Sequence, residues 1–343
     1  MLMNVRGSSH GPGKNITAPE ARKRALAGMD YQQLVCITSA CGYHLVRMKK
    51  FLIPLIALAA SFTASLAATA APLKVAALST VLADLARNVG RDKVDVIDIV
   101  RPGIDPHEFE PSPGDVEQVA SADVVLVSGK GLEGYLAKLE ESAGGNRTRF
   151  INVGNAIGPS LELKTEDKTV EDPHWWHSVG YAAKAATVIR DAFAKADPAD
   201  KETFVANTTA YLKKLADLDK EIRLQVAVLP RDQRKLVTSH DAFAYFARDF
   251  GFRIFPIEGV STADEPSTRQ VAELINAIKR EQVKAVFFEN TQNPKVIAEI
   301  TKETGAKIGG ELYADGLGAP GSGAATYIEM MHHNVDTIVH GLK

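Results

Sequence analysis

Cysteine is almost missing from this chain of 343 residues: there are two, Cys36 and Cys41, both within the first 47 positions. Whatever folds downstream of them has no disulfide and must be held by a core of ordinary size. Aromatic residues make up only 7%, and no apolar run reaches the length of a membrane span. Neither sign of charge dominates, with 40 Lys and Arg against 42 Asp and Glu. What is present, 45% hydrophobic and 24% charged residues, is the composition of a globular protein rather than a disordered or fibrous one. The length suits two medium domains.

The strongest local signal lies near the front. Met48-Lys49-Lys50 is a short basic stretch, followed by the apolar run Phe51 to Ala60 and then by small residues from Ser61 to Ala71. That is the three-part pattern of a secretory signal peptide. We read Met48 as the start, residues 1–47 as a mis-called extension, and Ala68-Thr69-Ala70 as the small-x-small cleavage site, so 48–70 is the signal peptide. No cysteine lies at the junction, so the product is expected free in the periplasm without a lipid anchor. Residues 1–70 hold eight of the 40 basic and two of the 42 acidic side chains, which leaves the mature chain with a net charge of about −8. An acidic surface of that kind disfavours nucleic acid and anionic lipid as partners.

From Leu73 onward, strand-like and helix-like stretches alternate, the pattern of an α/β fold with mostly parallel sheets. Strands are expected at Lys74 to Leu78, Val94 to Val100, Val124 to Ser128 and Arg149 to Val153, and again at Lys235 to Ser239, Arg253 to Pro256, Ala285 to Glu289 and Lys307 to Glu311. Leu161 to Glu171 is polar enough to read as an exposed loop. Between the two series, Lys201 to Leu229 keeps one helical spacing of apolar residues, a rod of roughly 43 Å. We therefore expect two lobes, each with a mostly parallel four-stranded sheet flanked by helices: 71–197 and 231–343, joined by a rigid helix within 198–230.

Seven histidines remain after processing, and three of them follow expected strands or their loops: His107, His174 and His240. Asp315 follows the eighth strand. In open α/β sheets, ligands bind outside the carboxyl ends of the strands, so these four positions point at a common site. Two fall in each half, as an ion held between two lobes requires. Three neutral imidazoles and one carboxylate suit tetrahedral Zn²⁺, whereas manganese favours more oxygen ligands. The four are 67, 66 and 75 residues apart, so no local motif unites them.

At these residues the chain resembles the metal-binding solute-binding proteins of zinc and manganese ABC importers. The matching segments are Pro106 to Asp115, Asp172 to Trp176, Ser239 to Phe246 and Leu312 to Asp315. The resemblance implies a non-enzymatic protein of two α/β lobes that holds its ion in the cleft with His107, His174, His240 and Asp315 and hands it to a membrane permease. It also implies zinc, because the third ligand resembles the histidine of zinc importers rather than the glutamate of manganese importers. A manganese or iron binder of the same family is the alternative. Many zinc members carry a histidine-rich loop before the second ligand. Here that loop has acids but no histidine before His174, which leaves a periplasmic zinc chaperone as another source of the ion. The chain is expected to act as a monomer.

A zinc-dependent hydrolase is the competing class. It would need a metal-bound water where Asp315 stands, and the chain has no His-Glu-x-x-His. Among the remaining residues, His177 reads as a surface histidine with a reserve-ligand alternative. Glu108 reads as solvent-facing with an oxygen-donor alternative, and Trp175-Trp176 read as wall packing. Glu289 reads as an acceptor behind a ligand histidine or as a loop cap.

Overall fold

The computed structural model describes residues 71–164, 169–262, 266–290 and 295–343. The expected extension 1–47 and signal peptide 48–70 lie outside the described residues. The first sheet holds β1 (Leu73–Ala77), β2 (Val94–Asp98), β3 (Val124–Val127) and β4 (Phe150–Asn152), all parallel in the order β2-β1-β3-β4. The second holds β7 (Lys235–Thr238), β8 (Arg253–Pro256), β9 (Ala285–Glu289) and β10 (Lys307–Leu312), parallel in the order β10-β9-β7-β8. All eight strands lie where the alternating pattern puts them, each end within two residues of its expected position.

Because successive side chains of a strand point to opposite faces, each sheet divides its apolar residues between two cores. Val75, Ala77, Val124 and Leu126 face one core, while Ala76, Leu78, Val125 and Val127 face another. In the second sheet, Leu236, Ala285 and Phe287 join the first of these cores, and Val237 and Val286 face a third with Leu274 and Ile278. One apolar core therefore runs through both lobes, with a private core on the far side of each sheet.

The connecting helix, α6 (Lys201–Val226), is 26 residues long, about 39 Å. It is shorter than the expected 201–229 span, since helical geometry ends at Ala227, ahead of Pro230. Phe204, Thr208, Tyr211, Leu215, Leu218, Ile222 and Val226 form its buried stripe, and it packs along α5 (Val179–Ala196), α1 (Thr80–Gly90) and the last helix, α10 (Tyr327–Leu342). It is a strut laid against the shared core rather than a free rod. Helix starts follow local chemistry: Ser112 with Asp115 and Ser267 with Gln270 form reciprocal capping boxes at α2 (Pro113–Ser121) and α8 (Thr268–Glu281).

One segment departs from expectation. The polar stretch read as a loop contains a short antiparallel pair, β5 (Glu162–Lys164) and β6 (Thr169–Glu171). Leu163 stands opposite Val170, so a brief alternation of apolar and polar residues suffices to pair the strands. The remaining short helices are α3 (Leu136–Ser142), α4 (Val153–Ala156), α7 (Ala244–Phe250) and α9 (Lys295–Thr304).

Candidate metal centre

The parallel register brings His240 to its partner. Val237 on β7 pairs with Val286 on β9, and three residues further along each chain stand His240 and Glu289. In the strand order β10-β9-β7-β8, the chain turns in opposite directions after β7 and β9, so their carboxyl ends border the crevice where such sheets bind ligands. On the other lobe, two turns share the sequence Asp-Pro-His. The Oδ1 atom of Asp105 accepts the backbone N–H of His107 at 2.8 Å, and that of Asp172 accepts the N–H of His174 at 2.9 Å. An aspartate bonding the backbone two residues on forms a local turn that aims the following side chain. Asp315 lies in the turn after β10.

The structure brings all four expected residues together. One ligand atom from each of His107, His174, His240 and Asp315 falls within 4.8 Å of the others. The Nε2 atom of His174 is 3.1 Å from that of His107 and 3.2 Å from that of His240. Asp315 Oδ1 lies 3.3 Å from the Nε2 atoms of His174 and His240 and 3.6 Å from that of His107. Donors on a tetrahedral ion with bonds near 2.0 to 2.1 Å stand about 3.3 to 3.4 Å apart. These five separations, 3.1 to 3.6 Å, straddle that value.

Hydrogen bonds behind the rings decide what they can do. His174 Nδ1 bonds Asp172 Oδ1 at 2.8 Å, and His240 Nδ1 bonds Glu289 Oε2 at 2.5 Å. A carboxylate accepts, so each Nδ1 carries the proton and, in the neutral ring, each Nε2 offers a lone pair. Lone pairs converging in a buried centre repel one another unless a cation sits among them. Neither oxygen of Asp315 accepts a well-formed hydrogen bond from the described residues, although the side chain is fully buried.

The field has the same sign. Burial opposes a charged imidazole at His240, but Asp315 and Glu289 outweigh it and hold its pKa well above the ordinary value. At His174 burial is likewise overcome, by Asp172 and Asp315, and the pKa is raised. Burial pushes the Asp315 carboxyl up, yet the three surrounding histidines more than reverse this and leave it well below the usual range. The cluster therefore attracts positive charge, whether protons or a metal ion.

His174 and His240 are fully buried and Asp315 nearly so, whereas His107 lines a cavity of about 560 Å³ together with Lys130, Leu132, Glu171, Pro173 and Val260. None of the other three residues of the cluster borders this cavity.

The other residues singled out, and the other histidines, fall elsewhere. Glu108 is exposed and outside the cluster. His332 faces Glu221, His333 donates to the Glu311 carbonyl, and His340 is exposed at the end of α10. His177 is not a surface residue. It is fully buried against Phe243, and burial together with His174 pushes its pKa down to about 3, so it stays neutral. Glu289 takes the first of its two expected roles, behind His240. Sequence reasoning missed Asp105 and Asp172, although the repeated Asp-Pro-His was a signal for both.

Comparison with known proteins places this geometry. Residues 75–341 match the family model described as zinc-uptake complex component A, periplasmic. The chain belongs to that family. The manganese-binding lipoprotein MntA of Halalkalibacterium halodurans is 37% identical over 272 residues, covering 79% of this chain and 89% of its own. The iron-binding protein YfeA of Yersinia pestis is 34% identical, covering 80% and 87%. The periplasmic zinc-binding protein TroA of Treponema pallidum has a solved structure that superposes with a TM-score of 0.74 at 33% identity, covering 79% of this chain and 99% of that one. Family members are extracytoplasmic solute-binding proteins of metal ABC importers and not enzymes, and this chain is one of them.

Proposed function

We propose that the protein carries zinc, binding one Zn²⁺ through His107, His174, His240 and Asp315 and delivering it to the permease of an ABC importer. The observation that carries this reading is the convergence of three imidazole nitrogens and one carboxylate oxygen, two of the imidazoles having their protons directed outward to carboxylates. Four protein donors complete a tetrahedral shell and leave no position for a reactive water, which suits a carrier and not a hydrolase. A site with a single carboxylate suits zinc better than manganese, which takes more oxygen donors.

In this reading, residues 71–197 and 231–343 are the two metal-binding lobes, 198–230 links them, and cleavage after Ala70 frees the mature protein in the periplasm without an anchor. A periplasmic chaperone supplies the ion where the short β5–β6 loop does not collect it. The similarity to MntA favours a second reading, manganese as the cargo. Affinity alone does not separate the two, since most nitrogen and oxygen sites bind Zn²⁺ more tightly than Mn²⁺. The test is metal analysis of protein recovered from its own compartment, together with growth of a deletion strain under zinc or manganese starvation. One equivalent of zinc and a defect restored by zinc are expected. Recovered manganese, or a defect restored only by manganese, overturns the zinc assignment.

A further inference from the structure

The carboxylate of Asp315 differs from the other buried donors in having no hydrogen-bond partner of its own among the described residues. Its direction must be set through the backbone. The carbonyl of the preceding residue, Ala314, accepts two buried ring N–H groups, from Trp176 Nε1 at 2.7 Å and from His177 Nε2 at 2.8 Å. On the other side of Asp315, the Leu317 N–H donates to Thr80 Oγ1 at 2.8 Å. The brace continues where the Tyr327 hydroxyl donates to the Trp176 carbonyl at 2.7 Å and the Tyr327 N–H to Asp84 Oδ2 at 3.0 Å. Thr80, Asp84, Trp176 and His177 all belong to the first lobe. A tie to the second lobe lies two residues before Asp315, where Asn334 holds both the N–H and the carbonyl of Tyr313.

Resting on the ligand assignment above, we infer that Trp176 and His177 are positioning residues for Asp315, fastening this C-terminal ligand to the segment that carries His174. Asp315 and His174 then form one unit. The cage divides unevenly, three ligands with the first lobe and His240, fixed to Glu289 on β9, with the second. Separation of the lobes parts the ion from His240 and must also release the contacts of Tyr245 with the Asp172 carbonyl and of Asp249 with Ser178.

The first test compares His177→Phe with His177→Gln, using Co²⁺ as a visible probe alongside Zn²⁺. Phenylalanine keeps the ring packing on Phe243, whose centroid lies 4.3 Å away, but removes the donor; glutamine restores an N–H. Outer-shell partners of metal ligands typically contribute about 10-fold or more in affinity. We expect His177→Phe to lose about 10-fold and to shift the Co²⁺ absorption bands, and His177→Gln to recover most of both. A phenylalanine variant with unchanged affinity and spectrum, or a glutamine variant as weak as the phenylalanine one, overturns the assignment. The second test needs no variant. Amide exchange of the full mature chain, with metal and after chelation, should leave the Leu317 and Tyr327 amides protected in both states. Their opening on chelation refutes the unit. Since exchange is read in the metal-free chain and Co²⁺ serves as probe, manganese proving to be the cargo leaves this result intact.

Discussion

His107 and His174 each sit two residues after an aspartate that accepts their own backbone N–H, whereas His240 depends on Glu289, 49 residues further along the chain. Asp315 depends on Trp176 and His177, from the opposite lobe. The N-terminal pair is thus aimed by local turns, one at each Asp-Pro-His. The C-terminal pair is aimed only when sheet register and lobe packing are complete. A half-site on the first lobe can be pre-organised cheaply, while Asp315 joins it with folding and His240 with closure of the lobes.

The largest expected effect breaks the C-terminal side outright. His240→Ala removes a donor and leaves Oε2 of Glu289 buried without its partner, so zinc affinity measured by competition with a chelating dye should fall by more than the roughly 100-fold upper bound for outer-shell changes. Unchanged affinity would mean that His240 is no ligand. Glu289→Gln should come next, near 100-fold, because no local turn substitutes for its hold on His240. Asp172→Asn should cost only about 10-fold, since asparagine can still accept the His174 N–H. If the two outer-shell variants lose equally, the contrast between local and distant support is wrong.

The dependence on pH sharpens the same contrast. Protonation of a ligand imidazole blocks binding, and His174 and His240 have raised pKa values in the metal-free chain. Protons therefore compete from above the ordinary imidazole value of about 6.5, and affinity should already decline before pH falls to that point. Glu289 is one of the groups that raise the His240 pKa, so in Glu289→Gln the onset should move to lower pH even though affinity at neutral pH is weaker. Titrations at stepped pH would show it.

The smallest effects serve as controls. Ser112→Ala and Ser267→Ala each remove a helix cap, one on each lobe, and each should cost about 1 kcal/mol in denaturant unfolding with no change in zinc affinity.

Much of the molecule was legible before any coordinates. Strand positions followed from apolar runs bounded by turn residues, helix starts from Ser112 and Ser267, and the candidate donors from their places after strands. These are short-range signals, governed by steric and hydrogen-bonding rules that act over a few residues. The β5–β6 pair escaped notice because three residues on each side carry too little periodicity to stand out from a polar run. His177 was misplaced for a different reason: a histidine is by default read as a surface residue, and only Phe243 and Ala314, distant in sequence, cover it.

What the amino-acid order determined by itself was the alternation of strands and helices, the capping of the helices, and two Asp-Pro-His turns able to aim their histidines. Only the tertiary structure decided that those turns face His240 and Asp315, that Glu289 stands behind His240, and that Asp315 is gripped by the lobe to which it does not belong in sequence. The reason is one of range: a backbone turn closes over two or three residues, whereas strand order, parallel register and a core shared between lobes depend on groups that meet only after the whole chain has folded.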